Sequence, residues 1–110
     1  MAVYGIYFDI GKAIVKPESK PVLDEIAKLI AHQPTLRLHV VGNTDNVGEF
    51  AGNMALSRQR ADAVVATLVK GYNVPAARLR AEGIGPLSPV ESNASESGRA
   101  NNRRVELVAQ

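Results

Sequence analysis

The chain has 110 residues, no cysteine, no tryptophan, and a formal charge of +2 from thirteen basic against eleven acidic residues. That length supports a single domain, taken here as 1–110, with one core. Absent cysteine excludes a disulfide framework, a thiol nucleophile and thiolate zinc sites, and so small a charge gives no basis for non-specific nucleic-acid or membrane-surface binding.

The start, MAVYGIYFDIG, has no basic leader and reads directly as a strand over Val3–Ile10, rich in Tyr, Ile and Phe. If the parent is exported, the expectation is that this chain is either an excised piece or carries an added Met1. A helix is expected from Pro17, which suits a first turn, to Pro34, which ends it. Its stripe is Val22, Ile26, Leu29 and Ile30, with Leu23 and Ala27 beside it. Leu36–Val41 has period two, placing Leu36, Leu38 and Val40 on one face and Arg37 and His39 on the other. A polar loop follows, then a helix from about Asn53 to Lys70 with the stripe Ala61, Val64, Val65 and Leu68 and with Gly71 as its C-terminal cap. Arg78–Glu82 reads as a short strand. The stretch Gly83–Asn102, rich in Gly, Ser and Pro, reads as one long functional or mobile connector. A final strand covers Arg103–Ala109. The expected fold is α+β, of order β-α-β-α-β-β, with two helices packed on one face of a mixed four-stranded sheet.

Catalytic chemistry has no visible seat. His32 falls at a helix end and His39 on an outward strand position, neither with a partner at metal-ligand spacing. The serines lack a nucleophile-elbow context, and Gly83-Ile84-Gly85 is too short for a dinucleotide loop, so it reads as turns needing positive φ. No enzyme activity, cofactor or metal is expected. Arg103-Arg104 has no aromatic platform beside it, so nucleic acid is not expected as a partner, and one of the two arginines is expected to anchor the late loop.

Recognition chemistry concentrates at Gly42–Gly48, where a strand end feeds a helix N-terminus. Asp45 supplies a carboxylate for an ammonium. Arg60, at the edge of the helix's buried stripe, supplies a guanidinium for a carboxylate, whereas Arg58 points away into solvent. Together they suit a zwitterionic amino-acid head. Spacing leaves equally open an ion pair of Asp45 with Arg60.

The same residues carry a family resemblance. Gly42-Asn43-Thr44-Asp45-Asn46-Val47-Gly48, Asn53, Leu56-Ser57-Arg58-Gln59-Arg60-Ala61, Gly83-Ile84-Gly85, Pro89, Asn93, Gly98-Arg99 and Asn101-Asn102-Arg103-Arg104-Val105-Glu106 resemble the ordered motifs of the OmpA-like C-terminal domain. Phe8-Asp9 resembles its early strand motif and Pro17 the start of its first helix. The match runs from Ile6 to Leu107. The resemblance implies a periplasmic, non-covalent peptidoglycan-binding module of Gram-negative envelopes, occurring in porins, lipoproteins, flagellar stators and secretion-system components. Any membrane attachment would belong to the parent protein. It further implies that Asp45 of the Thr44-Asp45 motif and Arg60 hold the meso-diaminopimelate of the stem peptide, with Phe8, Asp9, Thr44, Val47, Asn53 and Leu56 around them. Asn43 departs from the family's usual His; asparagine can hydrogen-bond the turn and tolerates left-handed backbone. On this reading Asp45→Ala and Arg60→Ala abolish binding and spare the fold. The alternative function is a periplasmic protein–protein or homodimerisation module that has lost its ligand.

Overall fold

The computed structural model describes residues 5–110. In chain order the elements are β1 (Gly5–Tyr7), α1 (Lys20–His32), β2 (Leu38–Gly42), α2 (Phe50–Tyr72), β3 (Leu79–Gly83), α3 (Glu96–Asn102) and β4 (Arg104–Ala109), with 3-10 turns at Pro17–Ser19 and Ala76–Arg78. The sheet runs β1-β4-β2-β3. Strand β4 is antiparallel to both neighbours, whereas β2 and β3 are parallel and joined through α2. Two parallel strands need such a crossover, because a tight turn can join only antiparallel ones.

The register sorts the side chains. Leu38, Val40 and Gly42 stand opposite Ala109, Leu107 and Val105 on one side and Leu79, Ala81 and Gly83 on the other. Period two therefore places all nine on one face. Leu23, Ile26 and Ile30 of α1 and Ala61, Val64 and Leu68 of α2 join the same buried cluster, so both long helices cover that face, as expected. The other face carries the pairs Arg80–Glu82 and Arg104–Glu106. No helix among the described residues is long and apolar enough to cross a membrane.

Two glycines set the height of α2 above the sheet. Gly42 and Gly83 are cross-strand neighbours. A Cβ on Gly42 would lie 1.8 Å from the Ser57 carbonyl oxygen, and one on Gly83 would lie 2.5 Å from the Arg58 nitrogen. The helix backbone thus rests directly on the strands. The Ser57 hydroxyl donates to the Met54 carbonyl at 2.7 Å and accepts the Gly85 N–H at 2.9 Å, pinning the next loop to the same turn.

Several expectations shift. Val3 and Tyr4 lie outside the described residues, and β1 ends at Tyr7 rather than Ile10. The buried line of α1 is Leu23, Ile26 and Ile30; Val22 and Leu29 are its half-buried flanks. Helix α2 begins at Phe50 and continues through Gly71 to Tyr72; Asn73, at φ 57°, is the left-handed cap expected of Gly71. Asparagine fills that role because its short polar side chain tolerates αL. Of the Gly83-Ile84-Gly85 glycines only Gly85 has positive φ, at 56°. Gly83 serves the close helix approach instead.

The largest departure is α3, which occupies the end of the stretch read as connector. Ser95 opens it: its hydroxyl accepts the Gly98 N–H at 3.1 Å, and Glu96 sits in the first turn near the positive dipole end. Asn102, fully buried, then fastens the loop from inside. Its Oδ1 accepts from the N–H groups of Val90 and Glu91, and its Nδ2 donates to the Glu91 carbonyl and to Asn93 Oδ1. Arg104 donates to the Ser88 and Asn102 carbonyls and pairs with Glu106, so it anchors the loop as expected. Asn102→Ala removes four part-buried hydrogen bonds that tie the loop to α3. It is expected to cost about 3 kcal/mol, read as a lowered urea midpoint with faster amide exchange over residues 88–102.

Candidate functional site

Strand β2 delivers its C-terminal end to the loop at residues 43–49, which local hydrogen bonds shape. Asn43 N–H donates to the Arg104 carbonyl at 2.8 Å and Thr44 N–H to the Gly85 carbonyl at 2.9 Å. The Thr44 hydroxyl donates to the Asp45 carbonyl at 2.7 Å. Asp45 Oδ1 accepts the Val47 N–H at 3.0 Å, an aspartate turn over two residues. Asn53 Nδ2 reaches back from the first turn of α2 to the Val47 carbonyl at 3.1 Å. Asn43 is buried, and its Nδ2 donates to the carbonyls of Val41 and Arg104. Its φ is not positive, so the tolerance of left-handed backbone that asparagine offers goes unused at this position.

Arg60 is the largest fully buried side chain of the described residues. Its Nε donates to the Lys12 carbonyl at 2.8 Å, Nη1 to that of Asn43 at 3.0 Å and Nη2 to that of Asp9 at 3.1 Å. The guanidinium carbon stands 5.4 Å from the centre of the Phe8 ring, a cation–π contact from below. Burial pushes the Arg60 pKa down to about 10; nearby Asp45 opposes that shift and Arg103 adds to it. The group is cationic at neutral pH. Because Arg60 ties three chain segments together, its removal is expected to disturb the fold as well as binding, which replaces the expectation that Arg60→Ala spares it.

Asp45 does not pair with Arg60. Its Oδ2 accepts from Arg103 Nη1 at 2.9 Å, both side chains being buried. Arg103 also holds Glu96 of α3 at 2.6 Å, and Glu96 accepts from Arg99 Nε at 3.2 Å. Arg103 therefore spans from the loop after β2 to α3. Hydrogen bonding from Arg103 holds the Glu96 carboxyl below its ordinary range, and Glu96 in turn raises Arg103.

These side chains surround a cavity of about 190 Å³ lined by Thr44, Asp45, Val47, Asn53, Leu56 and Arg60, together with Ile10, Gly11, Glu96, Arg99 and Arg103. Six of the eight residues singled out from the sequence thus meet in one place. Phe8 and Asp9 stand apart from the wall. Phe8 is buried beneath the Arg60 guanidinium, while Asp9 contributes its carbonyl to Arg60 and directs its carboxylate to Lys16 at 3.2 Å. Sequence reasoning missed Glu96, Arg99 and Arg103 as lining residues. The signal that was present is Ser95-Glu96 as a helix start, with Arg99 following at i+3 of Glu96 on the same helical face.

Comparison with known proteins agrees with this architecture. Residues 7–103 match the OmpA family. The chain is 39% identical over 103 residues to the probable lipoprotein YiaD of Escherichia coli strain K12, covering 94% of this chain and 47% of that protein. It is 44% identical over 101 residues to outer membrane porin F of Pseudomonas fluorescens, covering 92% and 31%. The chain thus spans less than half the length of either relative. Among solved structures, the peptidoglycan-associated lipoprotein from Burkholderia pseudomallei superposes with a TM-score of 0.91 at 32% identity, covering 97% of this chain and 90% of that one. The cell wall anchor of the type VI secretion system from Pseudomonas aeruginosa superposes at 0.79 with 34% identity, covering 98% and 81%. With the family match extending over most of its length, and with close fold and sequence relatives in envelope proteins, this chain belongs to the OmpA family.

Proposed function

We propose that this domain binds peptidoglycan non-covalently through the meso-diaminopimelate of the stem peptide, anchoring an envelope protein to the cell wall from the periplasm. The observation that carries this reading is that Asp45 and Arg60 face one cavity as opposite charges without neutralising each other. A guanidinium has five N–H donors; three of Arg60's go to backbone carbonyls, leaving one on each terminal nitrogen for a carboxylate. A carboxylate has about four acceptor positions; two of Asp45's are taken, and the rest suit an ammonium. Leu56, Val47 and Ile10 offer apolar surface to the methylene chain of the ligand. The names of two relatives, a peptidoglycan-associated lipoprotein and a cell wall anchor, support the same reading.

Calorimetric titration with two stem tripeptides, one carrying meso-diaminopimelate and one carrying L-lysine, tests it. The diaminopimelate peptide is expected to give saturable heat and the lysine peptide none. The lysine side chain ends in an ammonium alone and leaves Arg60 without its carboxylate, and unpaired buried polar groups are costly. Asp45→Asn keeps an acceptor for the Val47 N–H and leaves Arg103 its partner Glu96, so the fold should persist. It is expected to weaken binding about 30-fold, the scale of one charged hydrogen bond of about 2 kcal/mol. Unchanged affinity in Asp45→Asn removes the assignment. Silence with the peptide and with purified sacculi, together with a dimer on gel filtration, points to a protein–protein module instead.

A further inference from the structure

The cavity is not electrically balanced for a zwitterion. Three guanidiniums, Arg60, Arg99 and Arg103, line it against two carboxylates, Asp45 and Glu96. Arg103 engages both carboxylates, and Glu96 also holds Arg99, so the lining as a whole carries one positive charge more than its carboxylates balance. Arg99 is held in place by two contacts, Nε to Glu96 at 3.2 Å and Nη1 to the Asn93 carbonyl at 2.9 Å. Its Nη2 makes neither contact; the side chain is one of those lining the cavity and is 27% exposed overall. Behind it Arg103, 6% exposed, keeps its Nε buried with no hydrogen-bond partner. A neutral zwitterion placed between Asp45 and Arg60 leaves this positive excess uncompensated.

We infer that Arg99, backed by Arg103, forms a second carboxylate subsite that reads another acidic group of the ligand beyond the diaminopimelate head. The inference rests on the proposed peptidoglycan reading and adds to it the selection of acidic over amidated stems. A pre-oriented guanidinium with a free edge is the donor suited to a carboxylate, and an amide in its place loses both the charge and one acceptor oxygen. Two groups of the stem carry that chemistry, the D-glutamate α-carboxylate and the carboxylate at the peptide-linked centre of diaminopimelate.

The test compares the diaminopimelate tripeptide with two singly amidated forms, one at each of those carboxylates, titrated against wild type, Arg99→Gln and Arg99→Lys at low ionic strength. One amidated form is expected to bind wild type about 5–10-fold more weakly than the acid, and which form it is identifies the group read. In Arg99→Gln that ratio is expected to fall to about one, and Arg99→Lys should restore part of it. Because the readout is a ratio within each variant, loosening of α3 that weakens all ligands equally leaves it unchanged. If wild type binds the acid and both amidated forms alike, or if Arg99→Gln keeps the discrimination, the subsite is overturned while the diaminopimelate reading stands. If wild type binds none of the three, both fall together.

Discussion

Arg60→Ala is expected to lower the unfolding free energy by about 4 kcal/mol and to abolish ligand binding. The stability loss arises because the carbonyls of Lys12, Asn43 and Asp9 each lose a charge-assisted partner, and because the side chain above Phe8 leaves a void. For a domain of this size that corresponds to a fall in melting temperature of roughly 15–25 °C, measured by circular dichroism. A melting temperature within a few degrees of wild type would show that the three carbonyls find other partners. Lost binding in this variant would then report on ligand contact alone. Arg60→Lys separates the two roles further: one ammonium keeps the charge but cannot reproduce the planar fork that spans three segments. It is expected to recover part of the stability and little of the binding.

Gly42→Ala is expected to be the most disruptive single methyl in the molecule. The added carbon would meet the Ser57 carbonyl oxygen at 1.8 Å, with backbone on both sides of the contact, so no side-chain rotation relieves it. Helix α2 must lift off β2, loosening the core that Val64 of α2 shares with Val40 of β2 and carrying Arg60 away from the loops it binds. A cost of about 3 kcal/mol or more follows from such overpacking, seen as a lower urea midpoint and as loss of diaminopimelate binding. Gly71→Ala makes the opposite prediction from the same chemistry. That position is helical, and beyond its own helix backbone and chain neighbours nothing lies within 4 Å of the added carbon, so a gain of about 0.5–1 kcal/mol is expected. Equal effects of the two substitutions would show that helix propensity, not the close approach, governs Gly42.

Much of the frame was legible because burial imposes a period on the chain. The alternation through Leu38 and Val40 and the spacing of Ala61, Val64 and Leu68 correspond to the buried face of β2 and the core line of α2. Helix ends were read less well. Gly71 looked like the cap because glycine usually fills αL, yet the helix runs one residue further and Asn73 takes that conformation. Helix α3 was hidden for a related reason. It spans seven residues, too few for an apolar stripe to show, and its stability comes from Asn102, Arg103 and the Ser95 cap rather than from a hydrophobic face.

The candidate site divides the same way. Asp45 and Arg60 were recognisable as a pair from their placement around one strand–helix junction, and the family motifs fell on the same two residues. Whether they neutralised each other was a question of distance, and spacing along the chain carries no distance between side chains. The answer lay with Arg103, 58 positions beyond Asp45, which takes the aspartate and frees Arg60 for backbone carbonyls. Sequence by itself determined the element types other than α3, the apolar faces, the family and the two charges lining the cavity, because each leaves a local pattern of residue types. Only the tertiary structure decided the strand order with β4 between β1 and β2, the glycine contact that sets the height of α2, and the third cation beside the site. Those depend on contacts between residues far apart in the chain, and such contacts leave no periodic trace in one sequence.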